Sequence, residues 1–441
     1  MYDLLIHSDI QYNRQIAKNY KMLIDCMGSP SIRVENDAGS RAEQLKTALV
    51  IAEKTATYLG MDELVDISQQ DKLRIPVYSI SGKTKSDLTI NYNNGKGFTA
   101  DQAKISALME YIERQSPRHQ QPTALTDSFY NIRQKFEGEI VSPSELITYY
   151  SAYIADTIPI NWYPAINLCE SSNALIPTIA VLFPYASDSV PLFRNNTNGL
   201  SAGTSFVEAI IQGIYEVIER DCASLAMAAG KYKDVPIDSV SSPKCRYLIN
   251  EFLQNGIDLY IKDISNEFGI PCFSVAGDDR LSQNSLLLCG GHGCHASKEV
   301  ALLRALTELA QTRKTILYGK REDIVLMRPN ASNPDDYNRI KQKYPEWYTH
   351  KKDSISFEDI PELVFGDLHQ ELCWLLHQSH LLGFNVYAIN LSIDAEEYTL
   401  PVVRVIIPGL ENRNEDMKRI GFRLYHELQK NKANEVRLPD R

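Results

Sequence analysis

Glu110-Tyr111-Ile112-Glu113-Arg114 and Glu216-Val217-Ile218-Glu219-Arg220 are two copies of one short string, each inside a stretch with the apolar spacing of an amphipathic helix. At about 3.6 residues per turn, two glutamates three apart leave the same face of a helix, so each copy presents a carboxylate pair. Paired acids repel unless cations neutralise them, and hard divalent ions such as Mg2+ take carboxylate oxygens together with substrate phosphates. A nucleotide-polyphosphate site is one reading of the duplication. The other is a solvated, salt-bridged helix face, which a single string of this kind usually marks.

The neighbours of each pair extend it. Ser106, Glu110 and Glu113 fall within roughly 60° of one another on a helical wheel. Around the second pair, Glu208, Gln212, Glu216 and Glu219 form a row in steps of four, four and three. A third stretch, Ala301 to Arg313, places Arg304, Glu308 and Gln311 on one face, while Ala301, Leu302, Ala305, Leu306 and Leu309 supply an apolar face. Arg114 and Arg220 read as ion-pair partners that hold the glutamates.

These three stretches resemble the ATP-binding signatures of the YcaO family: Ser106-x3-Glu110-x2-Glu113-Arg114, then Ser201-x6-Glu208-x3-Gln212-x3-Glu216-x2-Glu219-Arg220, then Arg304-x6-Gln311. Gly95-Lys96-Gly97-Phe98-Thr99 resembles the family's lead into the first helix, and Gly199-Leu200-Ser201-Ala202-Gly203 its lead into the second. Leu400 to Glu411, with Pro408-Gly409-Leu410-Glu411, looks like the strand and corner that close the domain.

The resemblance implies an α/β fold: a single large domain with mixed sheets and motif helices converging on a nucleotide site. It assigns residues 39–425 to that domain, with 1–38 as an N-terminal segment and 426–441 as a C-terminal tail. It implies ATP and Mg2+ as cofactors, with Glu110, Glu113, Glu216 and Glu219 on the metal and Ser106, Ser201, Glu208, Gln212, Arg304 and Gln311 on the nucleotide. The implied activity is activation of a backbone amide in a peptide or protein substrate. Two departures stand out: Thr204 occupies a position where family members often carry asparagine, and the N-terminal basic residue directed at the nucleotide is represented by two candidates, Arg33 and Arg41.

Members that make azolines often end in a proline-rich tail, whereas this chain continues past Glu411 as Asp416 to Arg423 and ends Val436-Arg437-Leu438-Pro439-Asp440-Arg441. That continuation is similar to members that work with a TfuA-type partner and form thioamides from a sulfide source. Thioamide formation is therefore the expected product, with azoline or amidine formation by a cyclodehydratase and a non-catalytic ATP-binding scaffold as alternatives. A homodimer is expected.

Composition narrows the classes independently. The 441 residues carry 46 basic against 56 acidic side chains, a formal net charge of −10, so the chain lacks the basic footprint of a nucleic-acid binder. Eight cysteines are scattered without the spacing of a secreted disulfide scaffold. The first residues, Met1 to His7, show no basic segment followed by a long apolar run, and no stretch reaches membrane-spanning length. A cytoplasmic protein that is not membrane-bound is expected.

Along the chain, Arg41 to Leu59 shows helical spacing ended by Gly60, and Ile75 to Ile80 reads as a strand. Gly82-Lys83-Thr84 imitates the end of a phosphate-binding loop, but Val77 stands where that loop needs glycine, so a turn is expected. A Tyr- and Ser-rich stretch from Ser128 to Tyr153 precedes strand-like runs at Trp162–Asn167 and Ile176–Phe183, and Ala202 to Ala228 reads as a long helix. Ile257–Ile264, Pro271–Ala276 and Ser285–Cys289 read as strands, Ala296–Leu317 as the third motif helix, and Lys320–Pro361 as a surface excursion. Strand and helix alternate again from Leu368. Cys289-Gly290-Gly291-His292-Gly293-Cys294-His295 lacks zinc-finger spacing and reads as a glycine-rich turn. His369, His377 and His380 read as surface or core-edge histidines on one helix.

Overall fold

The computed structural model describes residues 10–28, 41–83, 90–120, 125–147, 156–185, 192–320, 334–393, 400–413 and 419–435. Met1 to His7, Arg33, Thr84, the 148–155 part of the Tyr- and Ser-rich stretch, Asp416 to Lys418 and the final six residues lie outside that set. The fold is mixed α/β. It consists of two compact units interleaved along the chain: Met1–Arg33, Ile112–Ala229 and Phe365–Arg441 form one, and Val34–Tyr111 with Gly230–Val364 the other.

The first unit is built on a seven-stranded sheet. Its strands run in the order Glu139–Ile140, Ser172–Pro177, Ile160–Asn167, Tyr387–Asn390, Val402–Ile406 and Leu200–Ala202, and Thr126–Asp127 pairs with Ile160–Asn167. Trp162, Tyr163, Ala165 and Ile166 are all buried, as a central strand covered on both faces requires. The run expected as one strand over Ile176–Phe183 instead divides into the end of the Ser172–Pro177 strand and a short helix, Thr178–Val181.

Within 1–38, Ile10–Met27 is a helix that turns polar as well as apolar residues inward. Gln15 and Asn19 are buried yet bonded: the Gln15 amide donates to the Asn19 side chain (2.9 Å) and to the Asn390 carbonyl (2.8 Å), and Asn19 donates to the Pro164 carbonyl (3.0 Å). Satisfied amides of this kind fix a helix on a sheet beside the apolar residues Tyr12, Met22, Leu23 and Cys26 that it also buries. The long helix Phe206–Ala229, the second motif helix, packs on strand Val402–Ile406.

The second unit holds two antiparallel sheets, Met61–Asp66/Val77–Lys83/Ile90–Lys96 and Cys289–Cys294/Cys272–Asp279/Ile257–Asp263/Lys233–Asp234. The third motif helix, Lys298–Tyr318, packs on both Cys289–Cys294 and Ile90–Lys96. Gly82 and Lys83 belong to a strand rather than to the expected turn, pairing antiparallel with Asn91 and Ile90, and a Cβ on Gly82 would stand 2.1 Å from the Tyr111 hydroxyl of the first motif helix.

Cys289–Cys294, expected as a turn, is likewise a strand. A Cβ at Gly291 would meet the Ala305 carbonyl at 2.4 Å and one at Gly293 the Ala301 carbonyl at 2.1 Å, so the glycines bring strand and helix backbones together. The strand expected at Ser285–Cys289 is a single 3-10 turn, Ser285–Leu287. Described parts of the expected surface excursion also pack inward: Tyr337, Tyr348, Phe357 and Ile360 are buried. No helix among the described residues is long and apolar enough to cross a membrane.

Candidate functional site

The first motif helix, Ala100–Gln115, starts from the glycine-rich lead. The Thr99 hydroxyl accepts from the Gln102 N–H (3.3 Å), and the Gln102 side chain accepts in return from the N–H groups of Phe98 (3.0 Å) and Thr99 (3.1 Å). This reciprocal cap fixes where the helix begins. Gly95 and Gly97 press on the same turn, since Cβ atoms there would lie 2.0 Å from the Ala107 nitrogen and 2.5 Å from the Ala103 nitrogen. Ser106 accepts from the Lys96 N–H at 3.3 Å. Glu110 and Glu113 follow on the same face, both half-buried.

In the second unit the third motif helix supplies three more polar side chains. From Ala301 to Ala310 every residue is buried except Arg304 and Glu308, and Gln311 continues their row. The Arg304 guanidinium donates to the Cys294 carbonyl (3.1 Å), Gln311 donates to the Asn94 carbonyl, and Glu308 forms an ion pair with Lys96. The Lys96–Glu308 pair joins a strand to a helix, a contact that neither spacing nor composition announces. The base of this helix is held by charge. Arg313 bridges Asp71 (2.8 Å) and Asp279 (3.0 Å), and the Lys314 ammonium donates to the carbonyls of Ser68, Leu73 and Ile75, each at 2.7 Å. Burial pushes the Asp279 carboxyl up, but hydrogen bonds from Lys72, Ser282 and Arg313 outweigh it and hold the group below its ordinary value.

In the first unit the second motif helix repeats the pattern more sharply. Between Val207 and Ala226 every residue is buried except Gln212, Glu216, Glu219 and Arg220. This half-buried row is the polar stripe itself. Glu216 accepts from the Gly199 N–H at 3.3 Å, at a glycine whose φ of +76° and close approach to the Val405 carbonyl exclude a side chain. Arg220 lies 3.9 Å from Glu219, the ion pair expected of it.

Glu208 is buried and accepts from both the N–H (3.3 Å) and the hydroxyl (2.5 Å) of Thr204, so the residue that departs from the family pattern braces a motif carboxylate. Ser201 is buried with its hydroxyl donating to the Ala209 carbonyl (2.7 Å), which leaves only its lone pairs for any ligand. Of the two N-terminal arginines, Arg41 precedes the Leu45–Tyr58 helix and Arg33 lies outside the described residues.

The donor set is all hard oxygen, which suits Mg2+. Among the described residues no three His, Cys, Asp or Glu side chains gather into a ready-made metal cluster, the Cys289–His295 stretch included.

Comparison with known proteins agrees. The family model described as YcaO cyclodehydratase, ATP- and Mg2+-binding, matches residues 94–411. An uncharacterized protein of Methanothermobacter thermautotrophicus is 32% identical over 370 residues, covering 83% of this chain and 94% of that protein. An uncharacterized protein in the tfuA 3' region of Rhizobium leguminosarum bv. trifolii is 26% identical over 375 residues, covering 80% and 84%. Among solved structures, YcaO from Methanopyrus kandleri bound with AMPPCP and Mg2+ matches with a TM-score of 0.71 at 24% identity, over 89% of this chain and 98% of that one, a likeness of fold.

Proposed function

This chain belongs to the YcaO family, and from that premise we propose that it uses ATP and Mg2+ to activate a backbone amide of a peptide or protein and installs sulfur there as a thioamide. The observation that carries the reading is the second motif helix, on which Gln212, Glu216, Glu219 and Arg220 alone stay open over five turns of otherwise buried residues. A stripe retained at that cost in buried surface serves a ligand rather than solubility.

An amide carbon is a weak electrophile. A nucleophile adds to it, the resulting oxyanion takes the γ-phosphate of ATP, and phosphate then departs with the former amide oxygen. Phosphoryl transfer needs mainly positioning and electrostatic stabilisation. Glu110, Glu113, Glu216 and Glu219 would hold Mg2+ in this scheme, and the ion would supply the charge that offsets the polyphosphate. Ser106, Gln212, Arg304 and Gln311 orient the nucleotide, Ser201 accepts from it, and Glu208 keeps the start of its helix in place through Thr204.

Sulfur as the nucleophile is favoured by the relative in a tfuA 3' region and by the helix Phe422–Glu435 that lies beyond Glu411. A TfuA-type protein and a sulfide source are the proposed partners. The second reading is ring closure by a side chain, favoured by the family's description as cyclodehydratase. Incubation with ATP, Mg2+, sulfide, a TfuA-type protein and the peptide, followed by intact-mass measurement, separates the two. A thioamide gains the mass difference between sulfur and oxygen, whereas a ring loses one water. A dehydrated product formed without sulfide would overturn the thioamide reading and leave the ATP-site reading standing.

A further inference from the structure

Asp221 follows directly after the second Glu-x-x-Glu-Arg string and is fully buried. At 100° per residue it leaves the helix roughly 140° to 160° away from Glu216 and Glu219, on the opposite side of the cylinder. Three donors meet it there. Its carboxylate accepts from the Arg423 guanidinium through two parallel bonds (3.1 and 2.9 Å) and from the Glu411 N–H (2.9 Å). One turn on, Ser224 accepts from the Arg413 N–H (2.9 Å).

Glu411, also buried, turns its side chain the other way. It accepts from the N–H groups of Gly421 (2.9 Å) and Leu424 (2.8 Å) and so caps the Phe422–Glu435 helix at its start. Gly421 admits no side chain, because a Cβ would stand 2.5 Å from Ile147 and 2.6 Å from the Glu411 carboxylate. Leu424 then packs on Leu225 and Ala229 of the motif helix.

We infer that Asp221, Arg423 and Glu411 form a latch that sets the rotation of the second motif helix, and that Asp221 is thereby a positioning residue for the carboxylates on its far side. The physical basis is directional. Apolar packing of Leu424 tolerates small rotations of the helix, whereas a bidentate guanidinium–carboxylate pair with a third backbone donor does not. A rotation that loosened the latch would swing Glu216 and Glu219 by the same angle, and supporting contacts behind metal ligands typically change metal affinity by about 10- to 100-fold.

This inference rests on the Mg2+–ATP reading above. The test is calorimetric titration of Mg2+ with a non-hydrolysable ATP analogue, at a temperature where circular dichroism shows every variant folded. Because Asp221 is fully buried, Arg423→Met and Arg423→Lys are measured beside Asp221→Asn, and Leu424→Ala serves as the control for plain loss of packing. The latch predicts that Asp221→Asn and Arg423→Met need about tenfold more Mg2+, that Arg423→Lys recovers part of the loss, and that Leu424→Ala lowers the melting temperature without changing the Mg2+ requirement. Wild-type Mg2+ dependence in the latch variants, or an equal shift in Leu424→Ala, would overturn the latch alone. A wild-type protein that binds no nucleotide with Mg2+ would overturn the ATP reading and the latch together.

Discussion

Replacing Gly95 with alanine adds one methyl group at a point where strand and helix backbones touch. The new Cβ would stand 2.0 Å from the Ala107 nitrogen, 2.3 Å from the Ala103 carbonyl and 2.6 Å from the Ala107 Cα. Ordinary contact begins at 3.4 Å, so the shortfall is about 1.4 Å. Every opposing atom is backbone, hence no rotamer change relieves it. The strand must move away from the first motif helix and carry Lys96, whose N–H bonds Ser106, with it. Overpacking costs about 1–3 kcal/mol where side chains can adjust, and here the cost should reach about 3 kcal/mol or more. Gly269→Ala is the matched control: nothing lies within 4 Å of its Cβ position and only its φ of +70° resists the change, a strain of roughly 1–2 kcal/mol. For a unit of this size, Gly95→Ala should lower the melting temperature by roughly 6–12 °C. A Gly95→Ala protein that melts no lower than Gly269→Ala would refute the argument that glycine is kept there for close approach.

Two further outcomes follow from the same structure. Asp279 has a folded pKa below its unfolded value, so its stabilisation is present above the unfolded pKa and disappears as pH falls through the folded one; the stability gap between wild type and Asp279→Asn, from urea melts, should be full at pH 6 and shrink as the pH falls below the ordinary carboxylate range. Thr99→Ala removes one half of the cap on the first motif helix and should cost about 1 kcal/mol in the same melts, with Thr99→Ser restoring most of it.

The motif helices were legible because their information is local. Steps of three and four place Gln212, Glu216 and Glu219, or Arg304 and Glu308, on one stripe of any helix, and burial of everything else follows from the apolar residues between them. The N-terminal helix Ile10–Met27 was not legible because Gln15 and Asn19 face inward and break the apolar period. Cys289–Cys294 read as a turn because glycine signals a bend when nothing shows the helix that lies against it. Tyr337, Tyr348 and Phe357 sit among prolines and charges, so their burial was hidden by their neighbours in sequence. Within the candidate site, the missed contacts are those made across the fold. The Lys96–Glu308 pair and the commitment of the Ser201 proton to the Ala209 carbonyl depend on which backbone approaches, a matter of tertiary structure alone.

The central claim is that the paired glutamates serve Mg2+ and a nucleotide, and calorimetric titration of ATP with and without Mg2+ addresses it in one experiment. Without metal, the carboxylates repel the phosphates. The account predicts that wild-type protein binds ATP only with Mg2+ and that Glu110→Gln and Glu219→Gln each weaken that binding by tenfold or more, on the order of 1.4 kcal/mol, with melting temperatures unchanged or raised as like charges are removed. Unaltered ATP affinity in both variants, or equal binding with and without Mg2+, would contradict it.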